Sequence, residues 1–473
     1  MIKKAPTGFF LLERLSHDKV RRIGILPPSP PNMEPQHYRE LSEGAKALLE
    51  ANTETAEWRG RRYRFSVPSL AAYPFQWFWD SCFHAIVWTR LGEIERAKDE
   101  LRGFFVFQEP SGFIPHVIFW NQKRVRRSPF YWHYLESCGR LSFLPWTKKP
   151  LATAHIQPPL LAQAVERIVL ASGDERFLNE ALPVLERYYR WLSSGRDPDH
   201  DGLISIIAQY ESGLDFSPAY DAALGVRPPR FRGLGVKPRI PEGLNVLLGQ
   251  HLPTIFRLSP WHIEDVLVNS IYIQGLQALG RLARRLEHAN VSRETSQRGH
   301  ATAVAEWAEA QAARVLRTLV AKCFDASAGL FWNLTGAQER QSKVKTIISL
   351  TPLIVPDLPR PIVEQLVAHL VDPKEFWTRY PLPSVAINES SFTPDNRVCG
   401  HRRIWRGPLS MNTNWFLAHG LRQHGYTDLA DHIGQTSREL VVQHGFNEFF
   451  DPHTGVPVGA NRFGWATLVI DLP

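Results

Sequence analysis

Two carboxylates stand four positions apart in Tyr210-Glu211-Ser212-Gly213-Leu214-Asp215-Phe216-Ser217-Pro218. Glycine opens backbone angles that other residues resist, and proline disfavours helix at the residue before it. The stretch therefore reads as a kinked loop, not as one face of a helix. A carboxyl on such a loop, walled by aromatic rings, keeps its proton to higher pH because burial disfavours the anion and a nearby anion adds to the effect. It then suits the delivery of a proton near neutrality. The plainer alternative is a loop in which Glu211 or Asp215 caps a helix.

Two further islands carry the same mixture. Gln76-Trp77-Phe78-Trp79-Asp80 is the first. The other combines Trp405-Arg406-Gly407-Pro408, Asn412 and Asn414 with Gly445-Phe446-Asn447-Glu448-Phe449-Phe450-Asp451-Pro452. Each sets a carboxylate among aromatics and glycine or proline, and the loop around Glu211, Asp215 and Asp221 does likewise. Simpler roles exist for each: tryptophans in a core, Asp80 capping its helix, Glu448 paired with an arginine such as Arg406, asparagines capping turns. Yet acids far apart in sequence, on loops at one face of a rigid scaffold, are what glycoside hydrolysis needs. One protonated carboxyl protonates the departing oxygen. An ionised one takes a proton from water attacking the opposite face of the sugar, and the pair then stands roughly 6.5–9.5 Å apart.

The totals narrow the partners. The chain has 473 residues, 44% hydrophobic and 22% charged, as soluble globular proteins do. Its 15 Trp and 26 Phe supply large core contacts or platforms for sugar rings. The net charge of +8 is mild for this length and gathers in no nucleic-acid motif. Cys82, Cys138, Cys323 and Cys399 are scattered without a Cys-x-x-Cys pair, and no His-Glu-x-x-His occurs. No metal or other cofactor is expected. Phe9-Phe10-Leu11-Leu12 is too short for a signal peptide, and no apolar run reaches membrane-spanning length. The expectation is a cytoplasmic protein with a small-molecule partner, bound neither to nucleic acid nor to membrane. Assembly into a homo-oligomer stays open.

Residues 1–35 close on Pro27-Pro28-Ser29-Pro30-Pro31-Asn32-Met33-Glu34-Pro35 and read as an extended arm. Residues 36–473 read as one domain. Helical periodicity covers His37 to Glu54, Ala85 to Trp88 after a cap at Asp80 or Ser81, Glu93 to Phe104, Pro158 to Ala171, Glu180 to Ser194, Ile263 to Leu286 and Glu294 to Val320. Weaker patterns cover Pro361 to Leu370, Pro408 to Gln423 and Asp428 to His444. About a dozen helices in hairpins, with long loops and only minor β-hairpins, predict an all-α closed double ring whose loops gather on one face.

Gln76-Trp77-Phe78-Trp79-Asp80-Ser81-Cys82-Phe83-His84, Gln157-Pro158-Pro159, Glu211-Ser212-Gly213-Leu214-Asp215, Trp405-Arg406-Gly407-Pro408 and Phe446-Asn447-Glu448-Phe449-Phe450 together resemble glycoside hydrolase family 63. Within it they look most like the bacterial mannosylglycerate and glucosylglycerate hydrolases, from about Tyr73 to the C-terminus. The resemblance implies an (α/α)6 barrel and an inverting mechanism, with Asp215 as general acid and Glu448 as general base. It implies that Asp80 holds sugar hydroxyls and that Trp79, Gln157, Glu211 and Trp405 line the sugar pocket. Tyr73, Gln76, Trp77, Asp221, Arg406, Gly407 and Asn414, in or beside the same motifs, are expected to complete the substrate site. Ser410 and Phe216 depart from the family pattern, at places expected to flank the leaving group. Basic stretches at Lys123 to Arg127 and Arg227 to Arg239, including Arg230 and Arg232, are candidates to meet a carboxylate on that group.

Overall fold

The structure is a computed structural model that describes residues 34–121, 151–227, 233–289 (save 235 and 238) and 295–473. The proline-rich arm up to residue 33, Cys138, the Lys123 to Arg127 cluster, Arg230 and Arg232 lie outside the described residues.

Twelve α-helices are described: α1 Pro35–Ala51, α2 Phe78–Arg90, α3 Ile94–Phe107, α4 Leu161–Ser172, α5 Glu175–Gly195, α6 Arg239–Leu247, α7 Leu252–Leu258, α8 Val266–Ala289, α9 Thr295–Thr318, α10 Arg360–Leu370, α11 Met411–Gln423 and α12 Thr427–His444. Local chemistry sets several ends. The Asp174 carboxylate caps α5 by accepting from Arg176 N at 2.9 Å and Phe177 N at 3.0 Å. Gly173, left-handed at φ +66°, ends α4. Asp265 accepts from Val268 N at 3.0 Å at the head of α8. There Ile263–Glu264 is a strand, not the first turn of helix that its apolar period predicts. Pro35, expected at the end of the extended arm, instead begins α1.

Six segments carry the packing. α2 lies against α4, α4 against α8, and α8 against the 3-10 segment Ile347–Ile354. That segment lies against α11, which lies against the 3-10 segment Gly464–Ile470, which returns to α2. Each has a partner on its other side: α3 on α2, α5 on α4, α9 on α8, α10 on Ile347–Ile354, α12 on α11 and α1 on Gly464–Ile470. One hydrophobic core runs through these contacts, with Phe78, Phe83, Val165, Leu267, Leu350, Leu417 and Leu468 all buried in it. Pro352 keeps Ile347–Ile354 from becoming α-helical, because proline lacks the N–H that the ladder requires. All eight of its residues are buried.

The sheets are small. The largest is antiparallel, with Ser205–Ile206 beside Ile263–Glu264, then Asn333–Thr335, then Arg340–Ser342. Asn447–Phe450 pairs with Pro457–Asn461, and Arg397–Val398 with His401–Arg402. These short ladders hold the loops that enter the site.

Candidate active site

Contacts draw the three islands together. Gly213 sits at φ +72°, and a Cβ there would lie 2.4 Å from the Trp79 ring, so only glycine lets the acid loop lie on that indole. Trp79 N in turn donates to Gln157 Oε1 at 3.0 Å. Arg406 joins the third island to the acid loop through a buried fork on Asp221, at 2.6 and 2.5 Å. Leu409 and Phe450 exchange backbone hydrogen bonds at 3.0 Å, and Ser410 Oγ donates to the Glu448 carbonyl at 2.9 Å.

Asp215 and Glu448 stand in different surroundings. Glu448 Oε2 accepts from Arg402 Nη2 at 2.9 Å and from Ala460 N at 2.8 Å, and its Oε1 accepts from Tyr73 Oη at 3.0 Å. Burial raises the Glu448 carboxyl, while Ala460, Arg402 and Tyr73 oppose the rise by favouring the anion. Gly459, at φ +96°, makes room, since a Cβ there would lie 2.6 Å from Glu448 Oε2. Asp215 receives no hydrogen bond from another residue among the described residues. Burial pushes its carboxyl up to about 7; its own backbone opposes this, and the charge of Glu448 adds to it. Both carboxyls are thus raised by burial, but only Glu448 is met by described donors that favour its anion.

Asp80 is the third acid of the cluster. It lies in the first turn of α2, where Trp77 holds the cap position, so the capping role open to Asp80 in the sequence is not the one it takes. Burial drives its carboxyl well up, and the Glu448 charge adds to the rise. Its Oδ1 is buried with no hydrogen-bond partner among the described residues. The nitrogens Trp77 Nε1, Gln209 Nε2 and Asn412 Nδ2 are buried in the same condition. Such atoms suit the hydroxyls of a polar ligand.

Other expected site residues have their polar atoms taken up by protein. Glu211 is forked by Arg196 at 2.8 and 2.7 Å, both side chains fully buried, and accepts from Ile156 N and Ile207 N at 2.9 and 2.7 Å. It pins the loop rather than facing a pocket. Gln76 donates to Ser81 and to the Glu100 carbonyl and accepts from Trp120. Asn414 holds Pro381, Leu382 and Ser437. Asp221 and Arg406 hold each other. Gly407 packs so closely on the Thr393 carbonyl that a Cβ would lie 2.3 Å from it. Trp79 and Trp405 are buried against Trp465, with ring centroids 5.7 and 6.0 Å away. Trp77, half-buried, meets the edges of Tyr73 and His116. Ser410 is buried, its Oγ on the Glu448 carbonyl, next to one of the two proposed reacting acids. Phe216 stays partly open, at φ +61°, with the Arg403 guanidinium 5.3 Å over its ring.

Arg402, Arg196 and Trp465 belong to the site without having stood out in the sequence. Arg402 occupies a two-residue strand in an arginine-rich run with no distinguishing spacing. Arg196 had one usable signal, a cation fifteen positions before an acid on an apolar loop. Trp465 donates weakly to the Glu448 carbonyl, at 3.4 Å, from a 3-10 segment within the last ten residues, where the sequence carries only a faint helical pattern.

Comparison with known proteins matches residues 73–466 to the family described as mannosylglycerate hydrolase MGH1-like glycoside hydrolase domain. The mannosylglycerate hydrolase of Thermus thermophilus is 31% identical over 439 residues, covering 87% of this chain and 97% of that protein. The glucosylglycerate hydrolase of Mycolicibacterium hassiacum is 25% identical over 443 residues, covering 84% and 92%. A crystal structure of the family 63 mannosylglycerate hydrolase from Thermus thermophilus, in complex with Tris and D-glycerate, superposes with a TM-score of 0.74 at 29% identity over 91% of this chain and 99% of that one. A neutral trehalase from Saccharomyces cerevisiae shares the fold at a TM-score of 0.56, 13% identity and coverage of 90% and 78%. With three acids gathered on one aromatic floor and this set of relatives, the chain belongs to glycoside hydrolase family 63, among the mannosylglycerate hydrolase-like glycosidases.

Proposed function

We propose that this glycosidase hydrolyses a small α-glycoside, glucosylglycerate or mannosylglycerate, with inversion. In this reading Asp215 gives its proton to the departing glycerate oxygen. Glu448 takes the proton of the water that attacks the anomeric carbon from the other face. The observation that carries the roles is the unequal supply of donors among the described residues: three on Glu448 and none from another residue on Asp215. A carboxylate ringed by donors stays ionised and serves as base, whereas a buried carboxyl without them keeps its proton and serves as acid. Asp80, with its buried Oδ1, would hold sugar hydroxyls. The six inner segments and their outer partners support the reading of an (α/α)6 toroid, one catalytic domain over residues 36–473. Among the described residues no helix is long and apolar enough to cross a membrane.

The substrate assignment rests on relatives named for these two glycosides. It is tested by measuring kcat/KM on glucosylglycerate, mannosylglycerate, trehalose and maltose. A glycerate glycoside is expected to lead the neutral disaccharides by at least about 10²-fold, since a site built for a charged group leaves its polar partners unpaired when that group is missing. Equal rates on all four would remove the assignment.

A second result concerns pH. Glu448 must be ionised to act as base, so activity falls as pH drops through its pKa. Arg402 lowers that pKa. Replacing it as Arg402→Met is expected to move the acid limb of kcat/KM to higher pH. An unmoved limb would show that Arg402 does not tune the base.

A further inference from the structure

Away from the site, Asp197-Pro198-Asp199-His200-Asp201-Gly202 places acids at alternate positions and then a glycine at φ +109°. Asp197 turns inward and accepts from Asp201 N at 3.0 Å and Gly202 N at 2.9 Å, which shapes the turn. Asp199 and Asp201 then face two acids from the four-stranded sheet: Glu264 in the strand Ile263–Glu264, and Glu339 in the turn before Arg340–Ser342. One carboxylate oxygen from each of the four lies within 4.8 Å of all the others. Oxygens coordinating one calcium ion at about 2.3–2.6 Å are at most about 5 Å apart, so the spacing suits such an ion.

The independent mark of a ligand is Glu264. It is only 6% exposed, and its Oε2 is buried without a hydrogen-bond partner among the described residues. Lys322 enters the cluster with Nζ 2.6 Å from Asp201, 2.6 Å from Glu339 and 3.6 Å from Asp199. One ammonium faces four carboxyl groups, too few positive charges to balance the cluster once all four are ionised. Asp199 is exposed, which gives an ion a path from solvent.

We propose that Asp199, Asp201, Glu264 and Glu339 bind a divalent cation of the calcium type, which ties the loop before the Ser205–Ile206 strand to the sheet that supports the acid loop. Hard carboxylate oxygens, with no nitrogen or sulfur ligand in the cluster among the described residues, select calcium over zinc-like ions. Lys322 neutralises part of the charge and does not replace the ion. The cation lies outside the reacting groups, so its test does not depend on the proposed activity.

The full chain is stripped with EDTA and melted across a calcium titration, with terbium luminescence as a second readout. A saturable rise in Tm of about 2–4 °C is expected at ~100-fold excess over Kd. Glu264→Gln and the milder rim change Asp199→Asn should each remove the rise and the terbium signal, and Lys322→Met should keep or sharpen both. No saturable rise in the wild type would overturn the proposal. So would a rise that survives in Asp199→Asn and Glu264→Gln, or a Lys322→Met protein that is destabilised and not restored by calcium.

Discussion

Asp215→Asn is expected to lower kcat on a glycerate glycoside by about 10²–10⁴-fold, the usual worth of one positioned proton transfer. The change is nearly isosteric and removes only the transferable proton. Because Asp215 receives no hydrogen bond from another described residue and its carboxyl sits near 7, the variant breaks no ion pair and should melt close to the wild type. A leaving group that needs no proton separates the role from a general loss of structure. On an α-glycosyl fluoride the deficit should shrink by at least about tenfold, since fluoride departs without protonation. A deficit equal on both substrates would place Asp215 outside the proton-donating role. The base limb of the wild-type pH profile should fall near neutrality, where Asp215 loses its proton, and should be absent from the variant.

Arg196→Leu is expected to damage stability more than any single change in the site. Arg196 and Glu211 are both fully buried and meet through two hydrogen bonds. Removing the guanidinium leaves a buried carboxylate whose remaining donors are the amides of Ile156 and Ile207. Breaking such a pair from one side costs about 3–5 kcal/mol, which should appear as a lower urea midpoint and poor soluble yield. The double change Arg196→Leu with Glu211→Met removes the stranded charge and should recover much of the loss. If Arg196→Leu melted like the wild type, the pin beneath the acid loop would carry no weight.

That pin shows where sequence reasoning reaches its limit. Glu211 and Asp215 share one loop and are alike on paper, so both are expected at the sugar. The 3-10 turn Gln209–Ser212 directs Glu211 into the protein, and the left-handed Gly213 reverses the chain before Asp215. The order of residues offers only a cation fifteen positions before Glu211, and that does not say which of the two acids it meets. The islands themselves were legible, because tryptophans, acids and Gly-Pro turns are rarely found together without a reason. The α-helices with a clear apolar stripe were legible too, to within a few residues at most ends, with α5 starting earlier than its pattern, just after Asp174. The segment Ile347–Ile354 was not, because a chain buried on every side has no polar face and so no period. Arg402 was hidden for the opposite reason: its strand is two residues long, and only the pairing of Arg397–Val398 with His401–Arg402 brings it to Glu448.

The central claim is that Asp215 and Glu448 work on opposite faces of one sugar with a water between them. Proton NMR of the first anomer released from an α-glycoside, read before mutarotation, tests this most directly. The account predicts the β anomer first. Release of the α anomer would mean that one carboxylate attacks the sugar itself, and the roles assigned to Asp215 and Glu448 would be wrong.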